Sequence, residues 1–148
     1  MPSASIQAKV VINAPTKKVF DYVSDLTRHG EWSADSVQIV ALSPGQIAVG
    51  SRYRSTVQSR GITFNAEMEV TEYDSPTCFA FKGSDETGTF SHRFIFEPST
   101  DGTLVIRQTQ LGANLIQTLV FLVALYPVRV FAAKKALRQL KQKIEAAG

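Results

Sequence analysis

Between Ser36 and Leu111 apolar residues fall at every second position, and this alternation constrains the fold more than any other feature of the sequence. A strand with one buried face has this period, because successive side chains point to opposite faces. The alternation is interrupted by Gly, Pro, Asp and Ser, which favour turns, as in Asp74-Ser75-Pro76 and Asp101-Gly102. The stretch therefore predicts six consecutive strands, near residues 36–42, 51–60, 62–73, 77–83, 87–97 and 103–111.

One more strand and two short helical segments are predicted ahead of this stretch. Apolar and polar residues alternate from Ile6 to Ile12, which predicts an opening strand. Pro15 suits a first helical turn, and the apolar residues after it recur at helical spacing, so a helix is expected from about Pro15 to Asp25. A short helical turn or loop follows, and we expect His29 in that segment to lie on the surface.

A long helix is predicted at the end of the chain. From Leu115 to Ile144 apolar residues recur at steps of three and four, and Pro127 is expected to bend the helix. This order predicts an α+β fold, one domain over residues 1–148, with seven antiparallel strands and the helices on one side of the sheet. One helix about 10 Å across cannot fill the concavity of such a sheet unless large side chains fill the rest, so a cavity between sheet and helix is expected.

The composition excludes several classes of site. Cys78 is the single cysteine, so no internal disulfide can form, and with only His29 and His92 beside it no Cys/His cluster can hold a metal ion. The sequence has no phosphate-binding loop, no dinucleotide-binding glycine pattern and no Gly-x-Ser-x-Gly nucleophile motif. We therefore expect no metal, no cofactor and no covalent catalysis. The N-terminus lacks the pattern of a secretory signal, which favours the cytoplasm.

Basic residues are concentrated at the C-terminus. After residue 128 six Lys and Arg oppose one Glu, whereas the first 128 residues carry ten Lys and Arg against twelve Asp and Glu. The basic positions are interleaved with apolar ones at helical spacing, which is typical of a solvated helix face, so nucleic acid is not an expected partner. Residues 115–128 are nearly all apolar, but as a helix they would extend about 21 Å against about 30 Å for a bilayer core. Burial within the protein is the first interpretation, and peripheral membrane contact is the alternative.

Large apolar side chains share one face of three predicted strands. If these faces point into the concavity, phenylalanines and a methionine line it and the long helix covers it. The alternative is an ordinary hydrophobic core, which uses the same residue types. The candidate lining residues are Phe64, Met68, Phe79, Phe81, Phe90, Phe94 and Phe96 on the strands and Leu119, Leu122 and Tyr126 on the helix.

Two polar residues on these inner faces are candidates for orienting a ligand. His92 lies between Phe90 and Phe94 on its strand, and it could donate a hydrogen bond to a ligand carbonyl or transfer a proton near neutral pH. Tyr53 could orient a carbonyl through its hydroxyl. The alternatives are a histidine whose hydrogen bonds are satisfied within the core and a tyrosine that caps the core.

Three segments carry a resemblance to a known family. INAPTKKVFDYVSDLTRHGEW is similar to the strand, Pro-initiated helix and Asp-to-Trp segment of the SRPBCC superfamily, and the pair EVTEYDSPTCFAF and FIFEPSTDGTLV adds to the match. The chain looks most like the polyketide cyclase/dehydrase-like group, and it lacks the GxGGxG loop of the pollen-allergen branch. The resemblance implies the helix-grip fold of START lipid-transfer domains, in which a curved seven-stranded antiparallel sheet wraps around a long C-terminal helix and two short helices follow the first strand.

The residues and the resemblance together favour one function and leave two alternatives. The favoured function is binding of a hydrophobic small molecule, such as a lipid, an isoprenoid or an aromatic polyketide, in the cavity between the sheet and the C-terminal helix. The first alternative is a polyketide cyclase/aromatase-like enzyme that uses polar pocket residues as acid and base. The second is a protein-interaction or membrane-peripheral adaptor. Both a monomer and a homodimer are compatible with the sequence.

Overall fold

A seven-stranded antiparallel sheet forms the centre of the protein in a computed structural model that describes residues 3–59, 61–86, 88–112 and 126–147. The strands are β1 (Ser3–Ile12), β2 (Ser36–Ala41), β3 (Arg52–Ser59), β4 (Ile62–Asp74), β5 (Cys78–Asp85), β6 (Gly88–Ser99) and β7 (Gly102–Gly112). Strands β2 to β7 are neighbours in sequence order, and β1 pairs with β7 at the far edge. The six consecutive strands are confirmed, with ends within two residues of the predicted ones, and β1 begins three residues before its predicted start.

Two short helices follow β1, as predicted. The first, α1, spans Thr16–Ser24, and a 3₁₀ helix spans Leu26–Glu31. The apolar spacing explains α1, because its one apolar face is the face that is buried. Asp25 separates the two helices, and its carboxylate accepts a hydrogen bond from the Thr27 N–H at 3.1 Å, which caps the 3₁₀ helix.

The C-terminal helix, α2, spans Tyr126–Ala147 and packs against the sheet through its second half. Leu137, Leu140 and Ile144 are fully buried there, whereas Phe131 in the first half is 63% exposed. The predicted helix start and the predicted bend concern a stretch that lies mostly outside the described residues, so both stay predictions.

Polar contacts hold the second half of α2 at the β1 edge. Lys141 donates from Nζ to the Val11 carbonyl at 3.0 Å, and Glu145 accepts a hydrogen bond from the Asn13 N–H at 2.8 Å. Lys141 and Glu145 also pair with each other. The helix therefore reaches one edge of the sheet with a defined register, and Val130 in its first half packs in the same cluster as Leu111 near the end of β7.

The strand register aligns inward-facing side chains in rows across the sheet. Because every neighbouring pair is antiparallel, each row crosses the sheet from strand to strand in the order β1, β7, β6, β5 and β4. One row is Ala8, Arg107, Phe94 and Phe79, the next is Ile6, Thr109, His92 and Phe81, and a third contains Leu111, Phe90, Gly83 and Met68.

Candidate functional site

The inner face of the sheet has two parts, and the change in burial from one part to the other runs along strand β6. Its inward side chains Phe96 and Phe94 are 2% and 0% exposed, whereas His92 and Phe90 farther toward its start are only partly buried. We call the inner face around Phe79, Phe94 and Phe96 the packed half. We call the inner face formed by Phe90, His92, Arg107 and Leu111 the open half, since each of these side chains keeps some accessible surface.

The packed half is a close-packed aromatic core. The Phe20 ring of α1 meets Phe96 edge-on at a centroid distance of 5.2 Å, and the Trp32 ring meets Phe94 edge-on at 6.1 Å. Phe79 stacks on Phe94 at 6.4 Å. These are favourable aromatic geometries, and they leave the rings without accessible surface. The helices after β1 therefore fill this half of the concavity.

The open half is built around the Phe90 ring, which lies over the backbone of β5. A Cβ atom at Gly83 would come within 2.6 Å of the Phe90 ring atom Cζ and 2.7 Å of the Glu67 carbonyl oxygen. Glycine at position 83 therefore provides the space that the ring occupies. Leu111 lies opposite Phe90 on β7, and the partly buried Val130 of α2 packs on the same side.

The candidate residues from the sequence fall into three groups. Phe79, Phe81, Phe94 and Phe96 belong to the buried core, with at most 4% exposure, and therefore present almost no accessible surface to a ligand. Phe90 and His92 lie on the open half, whereas Phe64 is partly buried elsewhere on β4. Leu119 and Leu122 lie outside the described residues, and Tyr126 begins α2 with 38% exposure.

Tyr53 and Met68 are neighbours on the inner face at the β3 side of the open half. They are direct cross-strand partners, and they are 7% and 4% exposed. Burial raises the pKa of the Tyr53 hydroxyl, with smaller effects from Asp25 and Tyr73. Tyr53 therefore stays protonated at neutral pH and can act as a hydrogen-bond donor.

His92 is held by two polar neighbours on β7. Its Nδ1 atom lies 2.9 Å from Thr109 Oγ1 and 3.4 Å from Arg107 Nη2. The Thr109 hydroxyl can donate or accept, but a guanidinium group can only donate, so the Arg107 contact assigns Nδ1 as the acceptor nitrogen. The proton of the neutral ring therefore sits on Nε2, and His92 presents an N–H donor with its second nitrogen.

Arg107 is the charged residue of the open half. Its guanidinium carbon Cζ lies 5.5 Å from the Phe94 ring centroid and 5.7 Å from the Trp32 ring centroid, both within cation–π range. Its Nε atom is inaccessible to solvent and has no hydrogen-bond partner among the described residues, and the same holds for Nε1 of Trp32. Two buried N–H donors in one neighbourhood thus have no acceptor within the described parts of the chain.

Burial and positive charge together set the protonation of the cluster. Burial lowers the pKa of Arg107 to about 10, which still leaves the guanidinium charged at neutral pH. The pKa of His92 is lowered well below its ordinary value, first by burial and then by the charge of Arg107, with smaller effects from His29 and Arg129. His92 is therefore neutral at neutral pH, and Arg107 carries the positive charge of the cluster.

The expected surface position of His29 is wrong. His29 is 6% exposed, and its Nε2–H donates to the Val23 carbonyl at 2.8 Å. Its ring packs against Trp32 at a centroid distance of 4.6 Å. Burial lowers its pKa to about 4, and the backbone hydrogen bond opposes that shift only in part. The 3₁₀ helix turns the side chain inward, and an irregular segment has no period from which this could be predicted.

Arg107 is the functional candidate that sequence reasoning missed. Strand β7 has Leu104, Val105 and Ile106 in succession, so its alternation does not show which face is buried. Val105 is 0% exposed, which fixes the inner face and places Arg107 on it. The sequence did contain a signal, because Arg107 lies two positions from Val105, the one fully buried apolar residue of β7. Only the pairing with β6 shows that both side chains face inward.

An open groove of about 650 Å³ lies at this end of the sheet and is lined by charged residues of the outer face and by Met68, Gly83 and Phe90. Its charged side chains pair with one another, since Arg52 contacts Glu67 at 3.2 Å and Lys82 contacts Glu69 at 3.8 Å. The opposite charges within these exposed pairs cancel, so the groove does not require a charged ligand. Within the described parts of the chain no group of His, Cys, Asp and Glu side chains is arranged to hold a metal ion, and no described helix is long and apolar enough to cross a bilayer.

Comparisons with known proteins give one family match and several similar folds. Residues 3–145 match the family described as "Polyketide cyclase / dehydrase and lipid transport". The solved structure of TTHA0849 from Thermus thermophilus has a TM-score of 0.79 at 17% identity, with 98% of this chain and 99% of that chain covered. CV1439 from Chromobacterium violaceum has a TM-score of 0.73 at 14% identity, with 96% and 98% covered. No curated protein matches the sequence.

A third solved structure, Ara h 8.0201, has a TM-score of 0.68 at 12% identity and covers 98% of this chain and 99% of its own. At such identities the likeness shows the fold alone. The curved seven-stranded sheet, the two short helices after β1 and the long C-terminal helix are the helix-grip arrangement that the sequence predicted.

Proposed function

The chain belongs to the polyketide cyclase/dehydrase and lipid transport family of the SRPBCC superfamily, and from this premise we propose that it binds a hydrophobic small molecule on the open half of its sheet. The observation that supports the proposal is the change along β6 from the inaccessible Phe94 to the partly exposed Phe90. An apolar molecule laid against Phe90 and Leu111 would bury ligand surface at about 25 cal/mol per Å². Lipids, isoprenoids and aromatic polyketides all fit this description.

The tautomer of His92 favours binding over cyclase chemistry. A general base needs a free lone pair on the nitrogen that faces the substrate. The lone pair of Nδ1 is taken by Arg107 and Thr109, which leaves Nε2–H as a donor. A donor orients a carbonyl or phenol oxygen but does not remove a proton, and the lowered pKa of His92 leaves little imidazolium to act as a general acid at neutral pH, so His92 is suited to ligand orientation.

The adaptor alternative predicts a different occupant. Tyr126, Val128 and Phe131 are exposed on the first half of α2 and could contact a membrane surface or a protein. Native mass spectrometry of the protein purified from its own host separates these cases. A retained small-molecule mass supports the proposal, whereas protein that carries only a bound polypeptide contradicts it.

We extend the proposal to one domain over residues 1–148 that is located in the cytoplasm and is a monomer or a homodimer. The mass of the assembly in the same spectra distinguishes the monomer from the homodimer.

A filling variant tests the location of the site. Leu111→Trp adds volume to the open half, so it should reduce the affinity for a neutral hydrophobic probe, N-phenylnaphthylamine, by at least about tenfold. If the space is empty, the free energy of unfolding should change by less than about 1 kcal/mol. Val40→Trp is the matched control, because Val40 is 47% exposed on β2 and lies on the opposite face from the buried Ile39. Unchanged probe affinity in Leu111→Trp, or destabilisation by about 3 kcal/mol, would contradict the proposal.

A further inference from the structure

The open half contains a positive charge that the protein itself does not neutralise. All thirteen Asp and Glu residues lie in the described parts of the chain, and none of them forms an ion pair with Arg107. The residues outside the description, including 113–125, contain no Asp or Glu. Burial accounts for the lowered pKa of Arg107, and no neighbouring carboxylate counteracts it.

An arginine is an unusual residue on the inner face of the sheet. Charged side chains within protein interiors are normally paired, because desolvation without a partner is costly. The Phe94 and Trp32 rings and the His92 lone pair stabilise the guanidinium. None of these contacts removes the net charge, and Nε still lacks an acceptor among the residues that the structure describes.

Arg107 and His92 each present a hydrogen-bond donor, whereas the nearby Thr109 hydroxyl can donate or accept. Nε of Arg107 has no acceptor in the described part of the chain, and Nε2 of His92 carries the ring proton because Nδ1 accepts from the guanidinium. Arg129 at the start of α2 adds positive potential, since its charge also lowers the pKa of His92. A group with several acceptor lone pairs and a negative charge complements this arrangement, and carboxylate and phosphate oxygens match the guanidinium fork.

We propose that the ligand is an apolar molecule with an anionic oxygen group, such as a carboxylate or phosphate, and that Arg107 and His92 bind that group while Phe90 and Leu111 contact the apolar part. This inference rests on the proposed function and narrows it from hydrophobic molecules in general to amphiphilic anions. Arg107 sets the specificity, because a neutral ligand of the same shape leaves its charge unpaired.

Matched amphiphiles test the inference at neutral pH, below their micelle concentrations. Dodecanoate, dodecyl phosphate and dodecanol share the alkyl chain and differ in the head group. We expect at least one of the two anions to bind at least about tenfold more tightly than dodecanol in isothermal titration, as expected for a charge-assisted pair. The tighter anion identifies the head group.

Substitution of Arg107 tests its role directly. Arg107→Met should remove the anion preference by weakening the binding of the anions, whereas Arg107→Lys should keep most of the preference. Arg93→Met is the matched control, because Arg93 loses the same charge from β6 but lies exposed on the other face, paired with Glu72 at 3.0 Å. Without ligand, Arg107→Met should raise the Tm by a few degrees, since it removes an unpaired charge.

The outcomes separate this inference from the proposed function. If dodecanol binds as tightly as both anions, the inference is overturned and the proposed function stands. If none of the three binds while N-phenylnaphthylamine does, the inference is overturned and the proposed function stands; if the probe also fails to bind, both fail. An anion preference that persists in Arg107→Met, or a Tm lowered by several degrees in that variant, would assign Arg107 a structural role and overturn the inference.

Discussion

The packed half and the open half of the sheet are built on the same strands and differ in what covers them. On β6 the inward side chains change from Phe96 and Phe94, with no more than 2% exposure, to the partly exposed His92 and Phe90. On β7 the fully buried Val105 is followed on the same face by the half-buried Arg107, the buried Thr109 and the half-buried Leu111. Strand alternation assigns the face of a side chain, whereas the covering elements decide whether that face is core or site.

The covering elements explain the difference. Phe20 of α1 and Trp32 after the 3₁₀ helix cap the packed half, and Leu137 and Leu140 of α2 complete it. Over the open half the described part of α2 contributes Val130 and smaller neighbours, which are only partly buried. A single sheet thereby supplies stability at one end and accessible surface at the other, and substitutions in the two halves should have different effects.

Phe94→Ala should have the largest effect on stability. Phe94 is 0% exposed and contacts Trp32 and Phe79, so truncation leaves a cavity within a rigid aromatic cluster. We expect a loss of about 3 to 5 kcal/mol in the free energy of unfolding, measured by urea denaturation. A loss below about 1 kcal/mol would show that this half is not close-packed, and the comparison between the halves would not hold.

The buried histidines should make stability depend on pH. The folded pKa of His29 is about 4, against 6.5 for an ordinary histidine, so between these values the unfolded state binds a proton that the folded state does not. Stability is therefore full above about pH 6.5 and decreases as the pH falls toward 4, by up to about 3 kcal/mol for His29. His92 acts in the same direction, since its pKa is also lowered.

Urea denaturation at a series of pH values checks this dependence. His29→Gln keeps an N–H donor for the Val23 carbonyl but cannot be protonated, so it should flatten the slope in the upper part of that range, above the ordinary pKa of 4.5 for Glu. The carboxylates with lowered pKa values, such as Glu31 and Glu72, destabilise the protein only at lower pH. A slope that His29→Gln leaves unchanged would show that His29 is not the group responsible.

Phe90→Ala should have a small effect on stability and a clear effect on binding. The Phe90 ring is only partly buried, so we expect a loss of about 1 kcal/mol or less in the free energy of unfolding. The affinity for N-phenylnaphthylamine should fall about tenfold, because the ring forms the apolar wall of the open half. Fluorescence titration beside urea denaturation gives both numbers. A large stability loss with unchanged probe affinity would assign Phe90 to the core.

The fold could be predicted from the sequence because its signals are long and periodic. The alternation from Ser36 to Leu111 determined the strands, and Pro15 with the apolar spacing after it determined α1. The inward position of His92 followed from the same alternation and is confirmed. These features need only local periodicity, which a single sequence contains.

The site could be predicted only in part, because periodicity shows on which face of a strand a side chain lies but not how deeply that side chain is buried. Phe90 and Phe94 share one face of β6, and the sequence could not show that one is accessible and the other is core. Arg107 was missed because β7 is apolar on both faces, and His29 because the 3₁₀ helix has no regular period. Each of these assignments depends on contacts between segments distant in sequence.

Intermolecular nuclear Overhauser effects along β6 test the division of the inner face most directly. With the tightest of the three amphiphiles bound, the account predicts contacts from the alkyl protons to Phe90 and Leu111 and none to Phe96, because the packed half has no accessible surface. Contacts to Phe96, or to Phe131 on the outside of α2 without any to Phe90, would contradict it.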